Sequence, residues 1–158
     1  MLLLSCLGAD AQYSFNANVS GLISVSTVQS LSLTGGAAIP NFSSMNDYYN
    51  GVVMDDYLTV GVKSNVPWMI NVQAQSQYFT PMTTGGSTNM PASVLSLKTS
   101  LSGNYTALSP NGITLKTGNR GGAAATGNNF TVDMRFNPGF AYKGGIYTIG
   151  LLYTLTAQ

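Results

Sequence analysis

The chain has 158 residues, only 7% of them are charged, and none is His. An ordinary domain carries about 25% charged residues, so neutral side chains supply most of the polarity here. The length fits one domain, and a hydrophobic fraction of 44% is enough for one core. A net charge of +1 without a basic cluster excludes the electrostatic footprint that nucleic-acid binding requires. No stretch reaches the roughly 18 apolar residues of a transmembrane helix.

An export signal is predicted at residues 1–11. A short apolar run leads into Ala-Asp-Ala at residues 9–11, which is a signal-peptidase pattern. Cleavage there would leave a secreted protein that begins at Gln12, with residues 12–158 as a single β-sandwich domain. The alternative is lipoprotein-type processing at Cys6, which would anchor the protein through an acyl chain. Cleavage after residue 11 removes the only cysteine and with it any disulfide framework.

Alternation of apolar and polar residues indicates strands along most of the chain. We expect strands at 13–19, 22–33, 52–62, 68–74, 94–98, 105–108, 113–116, 130–136 and 146–156. Clusters of Gly, Pro and Asn separate these strands, and residues 76–92 are predicted to be a long loop. No stretch has a convincing helical period. Eight or nine short strands predict an all-β fold, an antiparallel β-sandwich of Ig-like or pilin-like type.

Trp68, Ile70 and Val72 share one face of a predicted strand. A Trp on a strand of a sandwich packs in the core more often than it binds a ligand. We therefore predict that these three residues are structural core.

The sequence offers little catalytic chemistry. Without His there is no imidazole base, and without a mature Cys there is no thiol nucleophile. Asp55 and Asp56 are adjacent, but neighbouring residues of a strand point to opposite faces and cannot flank one glycosidic bond. We predict no enzyme activity and no cofactor. Asp47, Asp55 and Asp56 leave calcium binding as an alternative to a solvated turn, although EF-hand spacing is absent.

Several aromatic residues lie in or near predicted loops. Tyr48, Tyr49 and Tyr78 are the candidates for contact with a ligand, because exposed aromatic clusters can mark an interaction site. A surface glycan or the cell wall is the partner that such residues would fit.

Two short motifs resemble those of the bacterial WxL surface domain. Residues 68–70 read Trp-Met-Ile, and residues 147–155 are laid out like Tyr-x-x-x-aliphatic-Thr-Trp-x-Leu. Ile70, Leu152 and Tyr153 stand where the family carries Leu, Thr and Trp. The resemblance implies a β-rich module of the cell surface that attaches non-covalently to the cell wall. The alternating terminal strand is also similar to pilus and spore-coat-type sandwich subunits, which implies a structural role of fimbrial type.

Two terminal segments are candidates for an assembly strand. Their alternating apolar residues are Tyr13, Phe15, Ala17 and Val19 near the start, and Tyr147, Ile149, Leu151, Tyr153 and Leu155 near the end. The first segment either pairs within its own sandwich or completes the sheet of a neighbouring subunit through main-chain hydrogen bonds. Few charged residues are available to protect a sheet edge from such pairing.

The sequence thus predicts a secreted bacterial cell-surface protein with a structural or adhesive role. Its expected partners are further copies of itself or other cell-surface proteins. The alternative is a carbohydrate- or cell-wall-binding module that uses the loop aromatics.

Overall fold

The computed structural model describes residues 23–36, 38–100 and 102–158. The predicted signal peptide and the predicted strand at 13–19 therefore lie outside the described residues. The described residues form ten strands in three antiparallel sheets, which confirms the all-β, sandwich-like fold, although eight or nine strands were predicted for the chain. The strands are β1 (Gln29–Gly35), β2 (Val52–Ser64), β3 (Trp68–Ala74), β4 (Thr80–Pro81), β5 (Leu95–Thr99), β6 (Thr106–Ala107), β7 (Ile113–Gly118), β8 (Asn129–Phe136), β9 (Tyr147–Thr148) and β10 (Leu151–Ala157).

The strand order determines which edges of the sheets are free. The larger sheet has five strands in the order β1-β2-β8-β5-β6, and the second has three in the order β10-β3-β7. The third sheet is the short pair β4-β9. Consecutive strands are thus mostly not neighbours, and β1 and β10 each form an outer edge of a sheet.

The core lies between the two larger sheets. Alternate residues of β2, β8 and β5 point inward from one sheet, and those of β3 point inward from the other. Trp68, Ile70 and Val72 are each 0% exposed. Their alternation with half-buried Met69 and Asn71 explains why β3 was recognisable from the sequence.

The predicted strand at 22–33 is wrong in its first half. The structure begins a strand only at Gln29, which pairs with Ser64, the last residue of β2. The chain turns after Ser64, so residues 23–28 have no strand of β2 to pair with, and all six are exposed. The side chain of Asn65 instead receives the Val28 N–H and donates to the Ser26 carbonyl.

A helix that the sequence reading did not predict occupies Met45–Asn50, here called α1. Ser44 caps it, because its hydroxyl accepts the Asp47 N–H while the Asp47 carboxylate accepts the Ser44 N–H. Six residues are too few to show a hydrophobic period, but this reciprocal capping fixes the turn. No helix in the described part of the chain has the length and apolar character needed to cross a membrane.

The predicted strand at 146–156 is two strands that belong to different sheets. β9 pairs with β4, and β10 pairs with β3. The chain changes sheet at Gly150, whose carbonyl accepts the Gln75 N–H and where any side chain would overlap the Gln75 side chain. Similarly, the predicted loop at 76–92 contains the short strand β4.

Candidate functional site

Within residues 23–36, 38–100 and 102–158, one side of the sandwich ends in two strand edges that no neighbouring strand covers. β1 and β10 lie next to each other there, each at the edge of its own sheet. Each strand has seven residues, pairs with its one neighbour without a bulge, and contains neither a charged residue nor Pro. Edge strands usually carry a bulge, a charged residue or Pro, because these features prevent pairing with another chain. We call this side of the molecule, between β1 and β10, the seam.

The opposite side of the sandwich, formed by β6 and β7, is protected. β6 has only two residues, and β7 contains Lys116 and shifts register against β3. The Lys116 ammonium lies 5.2 Å from the centroid of the Phe130 ring. Leu108, directly after β6, is 1% exposed. The short β6, and the register shift and Lys116 of β7, therefore protect this side against strand addition.

A groove of about 1010 Å³ runs into the sandwich at the seam. Leu33 of β1 and Leu151 and Tyr153 of β10 line it, and Leu58 and Met134 form part of its floor. Lys143 is the one charged residue in its lining among the described residues. Leu33 is 43% exposed, although its inward neighbours on β2 and β8 are buried. The groove is thus a largely apolar surface that reaches β1 and β10.

Two tyrosines shape this groove. The Tyr57 hydroxyl lies 2.7 Å from the Gly36 carbonyl oxygen and 3.0 Å from that of Ala38, which holds the chain after β1 in place. The Tyr153 hydroxyl is buried without a hydrogen-bond partner among the described residues. Burial, together with the nearby Tyr57, raises the pKa of Tyr153 to about 12. Tyr153 is therefore neutral at physiological pH.

The structure brings most of the predicted C-terminal assembly residues to this groove. Tyr147, Ile149, Leu151 and Tyr153 all line it, although Tyr147 belongs to β9 while Leu151 and Tyr153 belong to β10 in a different sheet. Leu155 packs against the core further along β10. The other predicted assembly residues, Tyr13, Phe15, Ala17 and Val19, lie outside the described residues.

A partly exposed aromatic cluster lies at the groove, and two of its rings line it. We define it as Phe42, Tyr48, Tyr49 and Phe140. The Phe140 ring stacks on Tyr48 at 5.3 Å and meets Tyr49 edge-on at 4.9 Å, and Phe42 lies 5.4 Å from Tyr48. Tyr49 is 71% exposed and Phe140 is 53% exposed. Aromatic rings at these separations attract each other, so contacts within the cluster support its exposed rings.

Helix α1 presents two of these rings and contributes no buried residue to the core. Its first turn is held by the carboxylate of Asp47, and Arg135 Nη2 donates to the Asn50 carbonyl at its end. Hydrogen bonds from the Ser44 and Ser43 N–H groups hold the pKa of Asp47 below its usual value. The carboxylate of Asp47 is thus occupied by the cap.

The third predicted ligand aromatic, Tyr78, does not belong to this cluster. It is 42% exposed and forms an isolated bridge with Pro91. The structure therefore brings Tyr48 and Tyr49 together and leaves Tyr78 apart. Phe42 and Phe140 were missed because no local pattern in the sequence marks them, and only the fold brings Phe140 to Tyr48 and Tyr49.

Trp68 is built into the protected half of the core. Its indole N–H lies 2.9 Å from the Asn119 carbonyl and 3.2 Å from Asn128 Oδ1, and its ring lies parallel to that of Phe130 at 6.5 Å. Gly118 on β7 leaves the space that this ring fills. No part of the Trp68 side chain reaches the surface.

Asp56 and Asp133 lie close together on β2 and β8 of the five-stranded sheet. Asp56 has a positive φ of 49° where β2 shifts register against β8. Its N–H donates to Asp133, and Lys98 pairs with Asp133 at 2.9 Å. Burial opposes ionisation of Asp133, but the Asp56 N–H and Lys98 outweigh it and lower the pKa of Asp133. No group of three metal-ligating side chains occurs in the described ranges.

Comparisons with known proteins find no match for this chain, either to a protein-family model or to a curated protein.

Proposed function

We propose that this protein is a secreted bacterial cell-surface subunit with a structural or adhesive role, of the fimbrial type, which assembles through its seam. The observation that supports the proposal most is the pair of unguarded edges, β1 and β10, beside an apolar groove. A strand that enters there would gain main-chain hydrogen bonds and would bury apolar side chains. The edges of β6 and β7 on the opposite side are protected against strand addition, so we expect association to take place at the seam.

The similarity to WxL and pilus-type sequences is consistent with this proposal. Trp68 and Tyr153, which carry part of that similarity, lie on neighbouring strands of the same sheet. Trp68 is fully buried in the core, and this burial does not support cell-wall attachment through Trp68. Assembly through the seam is therefore the role that the geometry favours.

A charge placed on each edge in turn tests the proposal. Thr154 on β10 and Thr117 on β7 are both exposed positions on edge strands of the same sheet. Sedimentation velocity over a range of concentrations should show that the unaltered chain and Thr117→Lys form large assemblies while Thr154→Lys stays monomeric. Monomer at all concentrations in all three proteins would reject assembly, as would loss of assembly in Thr117→Lys alone.

A carbohydrate- or cell-wall-binding module is the second candidate, and the aromatic cluster is the observation that favours it. Tyr49 and Phe140 present exposed rings that contact each other, as a stacking surface for sugar rings requires. Sedimentation with purified cell walls measures this activity. Tyr49→Ala should reduce binding under this hypothesis, whereas Tyr78→Ala, outside the cluster, should not. Equal binding by both variants would remove the aromatic cluster as a glycan site.

A further inference from the structure

The groove at the seam is large and has an apolar interior. Its volume of about 1010 Å³ lies at the upper limit of small-molecule sites, which have roughly 300 to 1,000 Å³. Phe79, Met90, Leu95 and Met134 line its inner part, and all four are buried. Methionine side chains adapt their shape to the groups that they contact. The inner groove thus suits a long, flexible, apolar ligand.

A positive charge lies at the opening of this groove. Lys143 is the one charged lining residue in the described part of the chain, and it is exposed. Its ammonium forms no ion pair with a carboxylate of the described residues. Because no Asp of this part of the chain lines the groove either, the charge at the opening attracts an anion.

Hydrogen bonds hold the main chain at Lys143 in place. Its N–H donates to Ser87 Oγ at 3.0 Å, and its carbonyl oxygen accepts the Tyr147 hydroxyl at 2.6 Å. The Ser87 N–H in turn donates to the oxygen of this hydroxyl at 3.0 Å. Tyr147 itself lines the groove. The main chain of Lys143 is therefore fixed at the opening, while its long side chain can reach a ligand there.

These features restrict the chemistry of the ligand. A neutral apolar molecule would leave the Lys143 ammonium without a partner. A peptide would bring its own N–H and C=O groups into the inner groove, where Phe, Leu and Met side chains offer them no strong hydrogen bonds. A long-chain fatty acid has its polar group at one end only, and its carboxylate is ionised at pH 7. Both parts of this molecule thus find a matching part of the groove.

We propose that the groove binds one long-chain fatty acid, with its carboxylate at the Lys143 ammonium and its hydrocarbon chain along the buried inner side chains. The inference goes beyond the proposed function, because it concerns a ligand of the single chain. A strand that enters the seam would bury its side chains in the same groove, so the strand and the fatty acid exclude each other. Monomeric protein is therefore the form in which binding is measured.

Equilibrium dialysis of radiolabelled palmitate tests binding by the full chain, at concentrations where sedimentation velocity shows monomer. We expect saturation at one palmitate per chain. Laurate is four methylenes shorter and should bind at least about 10-fold more weakly, because each fully buried methylene changes affinity about fourfold. A folded monomer without saturable palmitate binding would overturn the inference and would leave the proposed assembly unaffected.

Lys143→Gln tests the position of the carboxylate. This variant should bind palmitate and laurate about 2- to 5-fold more weakly, as expected for the loss of an exposed ion pair. Its affinity for dodecanol, which has the chain of laurate without a charge, should be unchanged. Lys63→Gln is the matched control, since Lys63 is also exposed but lies outside the groove lining. Equal effects of the two variants on laurate binding would overturn the pairing with Lys143.

Leu33→Asn and Leu152→Asn test the position of the hydrocarbon chain. The two leucines are 43% and 42% exposed, but only Leu33 lines the groove. Leu33→Asn should weaken palmitate binding about 10-fold, because it removes apolar contact with the ligand. Leu152→Asn should leave the affinity unchanged, and melting curves show that both variants are folded. Equal palmitate affinities of the two folded variants would place the ligand outside the groove and overturn the inference.

Discussion

The two sides of this sandwich are closed in different ways. At the β6/β7 side the strands are short or bulged, Lys116 lies over Phe130, and Leu108 is buried. At the seam, β1 and β10 are regular and uncharged, and an apolar groove reaches both strands. The same core thus has one side that is completed by its own residues and one that is suited to an additional strand. The difference lies both in the length of the edge strands and in their edge chemistry.

The largest expected effect concerns the completed side. Trp68→Ala would remove a fully buried ring that contacts Phe130 and would leave the Asn128 side chain without one partner. We expect the free energy of unfolding to fall by about 3 to 5 kcal/mol. Denaturant unfolding of monomeric protein measures this. An unchanged midpoint with lost binding to cell walls would show instead that Trp68 contacts a ligand.

Gly118→Ala should have a smaller effect at the same place. A Cβ at position 118 would overlap the Trp68 ring, so the ring or β7 must shift. Overpacking of this kind costs about 1 to 3 kcal/mol. Gly122→Ala is the control, since nothing lies near its added methyl group. Equal stability of the two variants would mean that β7 adjusts freely and that this side is less rigid than we infer.

The Lys98–Asp133 pair gives a pH dependence. The pKa of Asp133 is lowered in the folded protein, so its contribution to stability is present above its unfolded value of 3.8 and is lost as pH falls through the folded value. Asp133→Asn should reduce stability at pH 7 by about 1 to 2 kcal/mol. It should also flatten the loss of stability below about pH 4. Melting curves of both proteins between pH 7 and pH 2 measure this. If Asp133→Asn loses stability at low pH as steeply as the unaltered protein, the Lys98–Asp133 pair does not contribute.

The smallest effect is expected in the seam and has the opposite sign. Tyr153→Phe would remove a buried hydroxyl without a partner, so stability at pH 7 should rise by about 1 kcal/mol. The pKa of Tyr153 is raised from 10.0 to about 12, so stability is lost as pH rises between these values. The variant should lose less stability in that range. A destabilised variant would indicate that the hydroxyl is in fact hydrogen-bonded.

The sequence predicts correctly those strands that a local alternation of apolar and polar residues marks. Alternation in β2, β3 and β8 predicted those strands, because one face of each is buried in the core. Residues 23–28 show the limit, since their apolar alternation has no partner once β2 ends at Ser64. The break at Gly150 likewise depends on Gln75, a residue distant in the chain.

The candidate site was only partly predictable for the same reason. Alternation identified Leu151 and Tyr153 as inward-facing, and both line the groove. That β1 and β10 are free edges follows only from the strand order, which no local pattern contains. The aromatic cluster was half predicted, through Tyr48 and Tyr49, because its other rings come from separate loops.

Hydrogen exchange of the backbone amides tests the central claim most directly, since it reports each edge separately. The full chain would be measured at concentrations below and above the onset of assembly. We predict that exchange slows in Leu151–Ala157 on assembly, while Ile113–Gly118 on the opposite edge exchanges at an unchanged rate. Slower exchange at Ile113–Gly118 with no change at Leu151–Ala157 would contradict the claim that the seam is the assembling edge.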